Sequence, residues 1–266
     1  MAILRSEYYS QAMRGFRSFS AVLPIDLPPV GGPPRYEGGP WPTLYLLHGY
    51  SGSRNDWLRN SKIEMLAAKH RIAVIMPDGD NRFWLDNPVT GENCGTMLGE
   101  ELVQVTRGMF NLSGRREDTA VGGLSMGGFG AIRNGLKYAD TFGTLMAYSS
   151  ALITEEFADG KVASADAMGI PYSYYTHVFG PAETFRGSEN DPVSLASRCL
   201  KAGNTPRMFL ACGTEDFLFA NNLAYHDALV KMGCEHVWFT APGIHDFVFW
   251  ETAAAKSIAW WRGEEE

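Results

Sequence analysis

The sequence predicts an α/β fold: a mostly parallel central sheet flanked by helices, with antiparallel strands at its N-terminal edge. Three observations predict it. Short runs that are apolar on both faces recur along the chain, as in strands buried inside a parallel sheet. Several of them end in a glycine turn and run into a helical pattern, the order expected of βαβ units. The first two strand-like runs, residues 2–10 and 16–24, instead alternate Ser, Tyr and Arg with apolar residues, as edge strands do.

The elements follow in order. Pro28 to Pro42 is rich in Pro and Gly and reads as an irregular surface loop. Thr43-Leu44-Tyr45-Leu46-Leu47 is a strand that ends in His48-Gly49-Tyr50-Ser51-Gly52. Ile72 to Pro77 is the next buried strand, and Gly79 to Cys94 is a long loop carrying Phe83, Trp84 and Asn87. Thr96 to Met109 reads as a helix. Asp118-Thr119-Ala120-Val121 is the end of a strand, and Phe129, Ile132 and Leu136 beyond it recur at helical spacing. Thr144 to Tyr148 is a strand ending at Ser149-Ser150. Arg207 to Gly213 is another, followed by a helix from Ala220 to Met232 that Gly233 stops. His236 to Thr240 is the last strand. The last helix runs from Asp246 to Trp261, with Phe247, Trp250, Ala254, Ile258 and Trp261 on one face. Glu264-Glu265-Glu266 reads as a solvated tail. With no internal repeat, residues 1–266 form a single domain, and 152–191 is a lid or pocket-forming insertion.

Composition bounds the function. A chain of 266 residues with 45% hydrophobic and 20% charged content describes an ordinary globule with a full core. The net charge of −7 argues against nucleic acid or an anionic membrane surface as a partner. The N-terminal apolar run is broken at once by Arg5 and Glu7, so neither a signal peptide nor a transmembrane helix is read there. Cys94, Cys199, Cys212 and Cys234 are widely spaced, with no zinc-type cluster, which fits reduced thiols in a cytoplasmic protein.

The chemistry lies in the turns. Gly123-Leu124-Ser125-Met126-Gly127 sits between a strand and a helix. A serine on so sharp a turn has its hydroxyl lifted clear of the sheet, and the positions two before and two after must be small where strand and helix cross. With 29 glycines in the chain the pattern alone is weak, and a glycine-rich turn with an exposed serine would produce it too. Its partners add the weight. Thr214, Glu215 and Asp216 follow one strand, and His245 follows the next, giving the Ser…Asp…His order of α/β-hydrolases. Ser125 is the candidate nucleophile, His245 the base and Asp216 the orienting acid. Glu215 competes with Asp216, which is preferred because the shorter side chain suits an acid held close to the histidine. Among the other histidines, His226 and His70 read as structural, His48 precedes a glycine turn, His236 opens a strand, and His177 leaves a substrate contact open. The amides of Met126 and Tyr50 are the candidate oxyanion donors.

Leu46 to Gly52, Gly122 to Gly128, Cys212 to Leu218 and Gly243 to Phe247 together resemble the esterase D-like α/β-hydrolases. That group includes tributyrin esterases, feruloyl and acetylxylan esterases of carbohydrate esterase family 1, S-formylglutathione hydrolases and mycolyltransferases. The resemblance covers nearly the whole chain. It implies the α/β-hydrolase fold and the same roles for Ser125, His245, Asp216, Met126 and Tyr50. It also matches Trp57, after the first glycine turn, and Trp84, after the next strand. It has no fixed pattern for Leu152 to Asp191.

The expected activity is that of a serine carboxylesterase on short acyl or hydroxycinnamoyl esters, including esters carried on sugars, through an acyl-enzyme and without metal or organic cofactor. S-formylglutathione hydrolase and acyltransferase are alternatives on the same machinery. A catalytically silent binding protein is the rival from another class, and the retained serine, histidine and acid speak against it. Trp84, Tyr174, Tyr175 and Phe217 are candidate pocket residues. The aromatics from Tyr172 to Phe179, in a loop without a pattern of its own, either wall an aromatic acyl group or only pack that loop. Exposed edge strands leave room for a homo-oligomer.

Overall fold

Eight strands form one sheet: β1 (Ala2–Ser10), β2 (Gly15–Leu23), β3 (Thr43–Leu47), β4 (Ala73–Pro77), β5 (Thr119–Leu124), β6 (Thr144–Tyr148), β7 (Arg207–Gly213) and β8 (Val237–Ala241). Their order across the sheet is β1-β2-β4-β3-β5-β6-β7-β8. The pairs β1–β2 and β2–β4 are antiparallel and the rest are parallel. This is the α/β-hydrolase fold. The computed structural model describes residues 1–27, 35–36, 38–161 and 170–264. Residues 28–34 and 37 of the Pro28–Pro42 loop, residues 162–169 within 152–191, and Glu265 and Glu266 of the tail lie outside the described residues.

The inner strands are apolar on both faces because both faces are covered. Every residue of β3, β4, β5 and β6 is buried. On one face lie α1 (Ile63–His70) and the last helix, and the core there joins Trp57, Ile63 and Ala67 to Trp250, Ala254 and Ile258. On the other face lie α2 (Leu102–Met109), α3 (Met126–Lys137), α4 (Tyr172–Phe179), α5 (Pro192–Ala202) and α6 (Phe219–Lys231). Local chemistry sets the helix ends. Asp191 accepts from the Val193 and Ser194 amides at the start of α5, with Pro192 at its first position and Gly203 closing it in the left-handed region. Asp246 does the same for the Val248 and Phe249 amides and starts α7 (Phe247–Arg262).

Two expectations change. The segment expected as one helix from Thr96 begins at Cys94 and passes through a π-helical stretch, Met97–Glu101, before α2. A π turn has a different hydrogen-bond span and leaves little trace in apolar periodicity. The Tyr172–Phe179 stretch is not a loop but helix α4. Tyr175, Val178 and Phe179 form its buried stripe at i, i+3 and i+4, a pattern that the surrounding tyrosines obscure.

Candidate active site

β5 delivers Ser125 into α3 through a strained turn, with φ +55° and ψ −119° at the serine. The flanking glycines are required by contact. A Cβ on Gly123 would lie 2.4 Å from the Gly127 carbonyl oxygen, and one on Gly127 would lie 2.6 Å from the His48 carbonyl oxygen. Both obstacles are backbone and cannot swing aside. The end of β6 braces the turn: the Ser125 amide donates to the Tyr148 carbonyl at 2.9 Å, and the Ala151 amide donates to the Ser125 carbonyl at 2.9 Å.

The loops after β7 and β8 bring the other two residues to the serine. The Ser125 hydroxyl lies 3.0 Å from His245 Nε2, and His245 Nδ1 lies 2.9 and 3.1 Å from the two Asp216 oxygens. The Asp216 side chain is fully enclosed, whereas His245 keeps some exposure. Burial alone would raise the Asp216 carboxyl, but hydrogen bonds from His245, the Leu218 amide and Ser149 hold it below the usual carboxylate range. Glu215, the competing acid, faces elsewhere. One of its oxygens accepts from the Gly243 amide at 2.6 Å, and its own amide donates to the Gly243 carbonyl at 3.0 Å. It ties the two loops together and does not touch the imidazole. Trp250 stands edge-on to His245, with ring centroids 4.8 Å apart, and donates to Ser149 Oγ at 3.0 Å. Neither Ser149 nor Trp250 carried a motif, although Ser149 lies at the end of a recognised strand.

The Tyr50 and Met126 residues border the same cavity as Ser125. Met126 is the first residue of α3, where backbone amides have no intrahelical acceptor and the helix dipole is positive. Among the described residues neither the Tyr50 nor the Met126 amide donates to a protein acceptor. His48 shapes the turn carrying Tyr50. Its Nε2 accepts from the Gly79 amide at 3.0 Å and its Nδ1 donates to the Gly49 carbonyl at 2.7 Å. Burial lowers the His48 pKa, which favours the neutral ring.

The cavity holds about 570 Å³. Phe83, Ile153, Ile170, Tyr175 and Phe247 give it an apolar wall, and Phe217 stands at 65% exposure with its ring 4.6 Å from that of His245. Two expected pocket residues are elsewhere. Trp84 is fully buried beneath the Tyr50 turn, edge-on to His48, with its indole N–H pointing to the His48 carbonyl 3.4 Å away. Phe83, its neighbour, takes the cavity position. Tyr174 stands behind Tyr50 with its hydroxyl donating to the Asn81 carbonyl at 2.6 Å, while Tyr175 lines the cavity. His177 bonds Asn87 and is not at the cavity, and His226 bonds His236 and stacks on Trp238. Among the described residues no cluster of metal-ligating side chains occurs. All four cysteines are free and buried. No helix among the described residues is long and apolar enough to cross a membrane.

A serine, a histidine and a buried carboxylate in hydrogen-bond sequence agree with what the chain is similar to. The Esterase family model matches residues 18–259. The chain belongs to that family. An acetyl esterase of Caldicellulosiruptor saccharolyticus is 36% identical over 261 residues, 98% of each chain. Among solved structures, the substrate-bound fluorophosphonate-binding serine hydrolase F of Staphylococcus aureus is 26% identical over 98% of each chain, with a TM-score of 0.83. The S-formylglutathione hydrolase of the same organism, as apoenzyme, is also 26% identical over 98% of each chain, at a TM-score of 0.81. A ferulic acid esterase shares the fold at a TM-score of 0.74 and 19% identity over 98% of each chain. The protein is a serine ester hydrolase.

Proposed function

We propose that this esterase hydrolyses short acyl and hydroxycinnamoyl esters through a covalent acyl-enzyme on Ser125. The observation that carries the reading is the Ser125 hydroxyl within 3.0 Å of His245 Nε2, at an apolar cavity that two unengaged amides border. In the first step His245 takes the serine proton as Ser125 Oγ attacks the ester carbonyl. The Met126 and Tyr50 amides stabilise the oxyanion, each such donor contributing about 3–4 kcal/mol. His245 then protonates the departing alcohol, and water, deprotonated by the same ring, releases the acid. Asp216 keeps Nδ1 protonated so that Nε2 remains the acceptor. The scheme calls on no metal or organic cofactor.

The acyl group belongs among Phe83, Ile153, Ile170 and Tyr175, where burial of an aromatic ring against a well-placed partner is worth about 0.5–1.5 kcal/mol. The stretch 152–191 acts as a pocket-forming wall, since Ile153, Glu156, Ile170 and Tyr175 come from it. Phe217, exposed beside His245, suits the leaving-group side, where an alcohol on a sugar can reach water. S-formylglutathione hydrolysis is the second reading, favoured by likeness to the Staphylococcus aureus enzyme. Against it, Asp56 and Glu156 border the cavity and no Lys or Arg among the described residues does, which is poor ground for the two carboxylates of glutathione.

Labelling with a fluorophosphonate, followed by kcat/KM on 4-nitrophenyl acetate, methyl ferulate and S-formylglutathione, tests the proposal. Labelling of Ser125 and turnover of the two carboxylic esters above the thioester is expected. Replacing Tyr175 with Ala should lower kcat/KM for methyl ferulate about three- to tenfold more than for the acetate. Equal losses would remove the hydroxycinnamoyl part of the proposal.

A further inference from the structure

The edge of the sheet carries a pattern that the ester chemistry does not use. β1 is an end strand, and among the described residues β2 is its single strand neighbour in the sheet, so one side of its backbone has no strand partner among them. Its residues alternate strictly. Ile3, Arg5, Glu7 and Tyr9 are exposed, between half-buried Ala2, Leu4, Ser6 and Tyr8. A long open edge of this kind is a template for another strand. Large apolar groups crowd it: Tyr9 is 51% exposed, and Phe16 on β2, 65% exposed, meets the Tyr9 ring edge-on at 5.5 Å. Across β2, Arg5 faces Ser20 and Glu7 faces Ser18, so neither charge is answered there.

We propose that β1 pairs antiparallel with β1 of a second copy of this chain, about a two-fold axis perpendicular to the sheet at Ser6. The register follows by counting outward from the axis. Arg5 faces Glu7 of the second copy, and Glu7 faces Arg5. Ile3 meets Tyr9 and Leu4 meets Tyr8, so apolar pairs flank the ion pairs on both faces. Moving the axis to residue 5 sets Arg5 against Arg5, and moving it to residue 7 sets Glu7 against Glu7. Like charges directly opposite disfavour both, so the pattern selects one register. Charges of one sign along the strand would instead have guarded the edge against pairing. One patch serves both copies, as a closed two-fold interface requires, and two eight-stranded sheets become continuous. The catalytic cavity opens around β3, β5 and the loops after β7 and β8, away from this edge, and stays accessible.

Sedimentation of the full chain at about 100 µM tests the pairing, a concentration that assembles an interface of ordinary strength. A species at twice the 29.3 kDa chain mass is expected. Arg5→Glu should weaken association about tenfold or more, because it turns two attractive pairs repulsive, while leaving ester turnover unchanged. The double variant Arg5→Glu/Glu7→Arg restores complementarity and should restore the dimer. Ser6→Cys gives a readout independent of charge. The two introduced thiols, opposite each other across the axis, fall within disulfide reach, and the four native cysteines are buried, so mild oxidation should cross-link the variant but not the parent. A monomer whose Ser6→Cys variant does not cross-link overturns the proposal, as does a dimer indifferent to Arg5→Glu.

Discussion

Replacing Asp216 with Asn, beside replacing Glu215 with Gln, separates two adjacent carboxylates by what they touch. The Asp216 carboxylate accepts from the Leu218 amide at 2.8 Å and from His245 Nδ1 at 2.9 and 3.1 Å. Asparagine has one acceptor oxygen and one donor nitrogen in the same volume. Its oxygen can keep the Leu218 amide, which leaves the NH2 group facing Nδ1. The imidazole must then turn its proton to Nε2, and that nitrogen can no longer accept from Ser125. The expected fall in kcat is about 10²–10⁴-fold. Glu215→Gln keeps a carbonyl for the Gly243 amide, so its loss should stay below about tenfold. The assay is kcat and kcat/KM on 4-nitrophenyl acetate, with thermal unfolding run on each variant. Stability has a sign as well. The Asp216 pKa is depressed in the fold, so its stabilisation is present above the unfolded carboxylate value and is lost as pH falls through the folded one. The parent should therefore exceed Asp216→Asn in stability at neutral pH, and the gap should narrow on acidification. If Glu215→Gln proved the more damaging change, the geometric assignment of the acid would be wrong.

Ser125→Ala should lower kcat about 10⁴-fold or more while keeping the fold, because a small side chain suits the turn; retention of about a tenth of the activity would remove the nucleophile assignment. Gly127→Ala should cost about 1–3 kcal/mol in a denaturant titration, since its Cβ would meet the His48 and Leu47 carbonyl oxygens at 2.6 and 2.7 Å; an unchanged midpoint would refute the close-approach argument. Burial depresses the His48 pKa, so stability held above its unfolded value, about 6.5, is lost as pH falls. Urea midpoints should accordingly drop between pH 7 and pH 5, and His48→Asn should flatten that slope; an equal slope in both proteins would rule out His48 as the source.

The strands and the three site residues were legible because their signals are local. A strand covered on both faces must be apolar throughout, and Thr43–Leu47, Thr144–Tyr148 and Arg207–Gly213 appear with the limits their composition implies. Gly123 and Gly127 announce a tight strand–helix crossing because no other residue fits between those backbones. The order of Ser125, Asp216 and His245 along the chain places each at a strand end before any side chain is seen. Which way a loop side chain points was not legible, because contacts far along the chain decide it. Phe83 and Trp84 both adopt positive φ, at 49° and 59°, a backbone that no local composition rule prescribes. That pair of angles sends Trp84 under the Tyr50 turn and Phe83 to the cavity. Tyr174 and Tyr175 part in the same way, one toward Asn81 and one toward the cavity, once α4 has packed its buried stripe on the core. Glu215 and Asp216 are equivalent acids in the sequence. Only the approach of Gly243, twenty-eight residues beyond Glu215, engages one carboxylate with a backbone amide and leaves the other to His245.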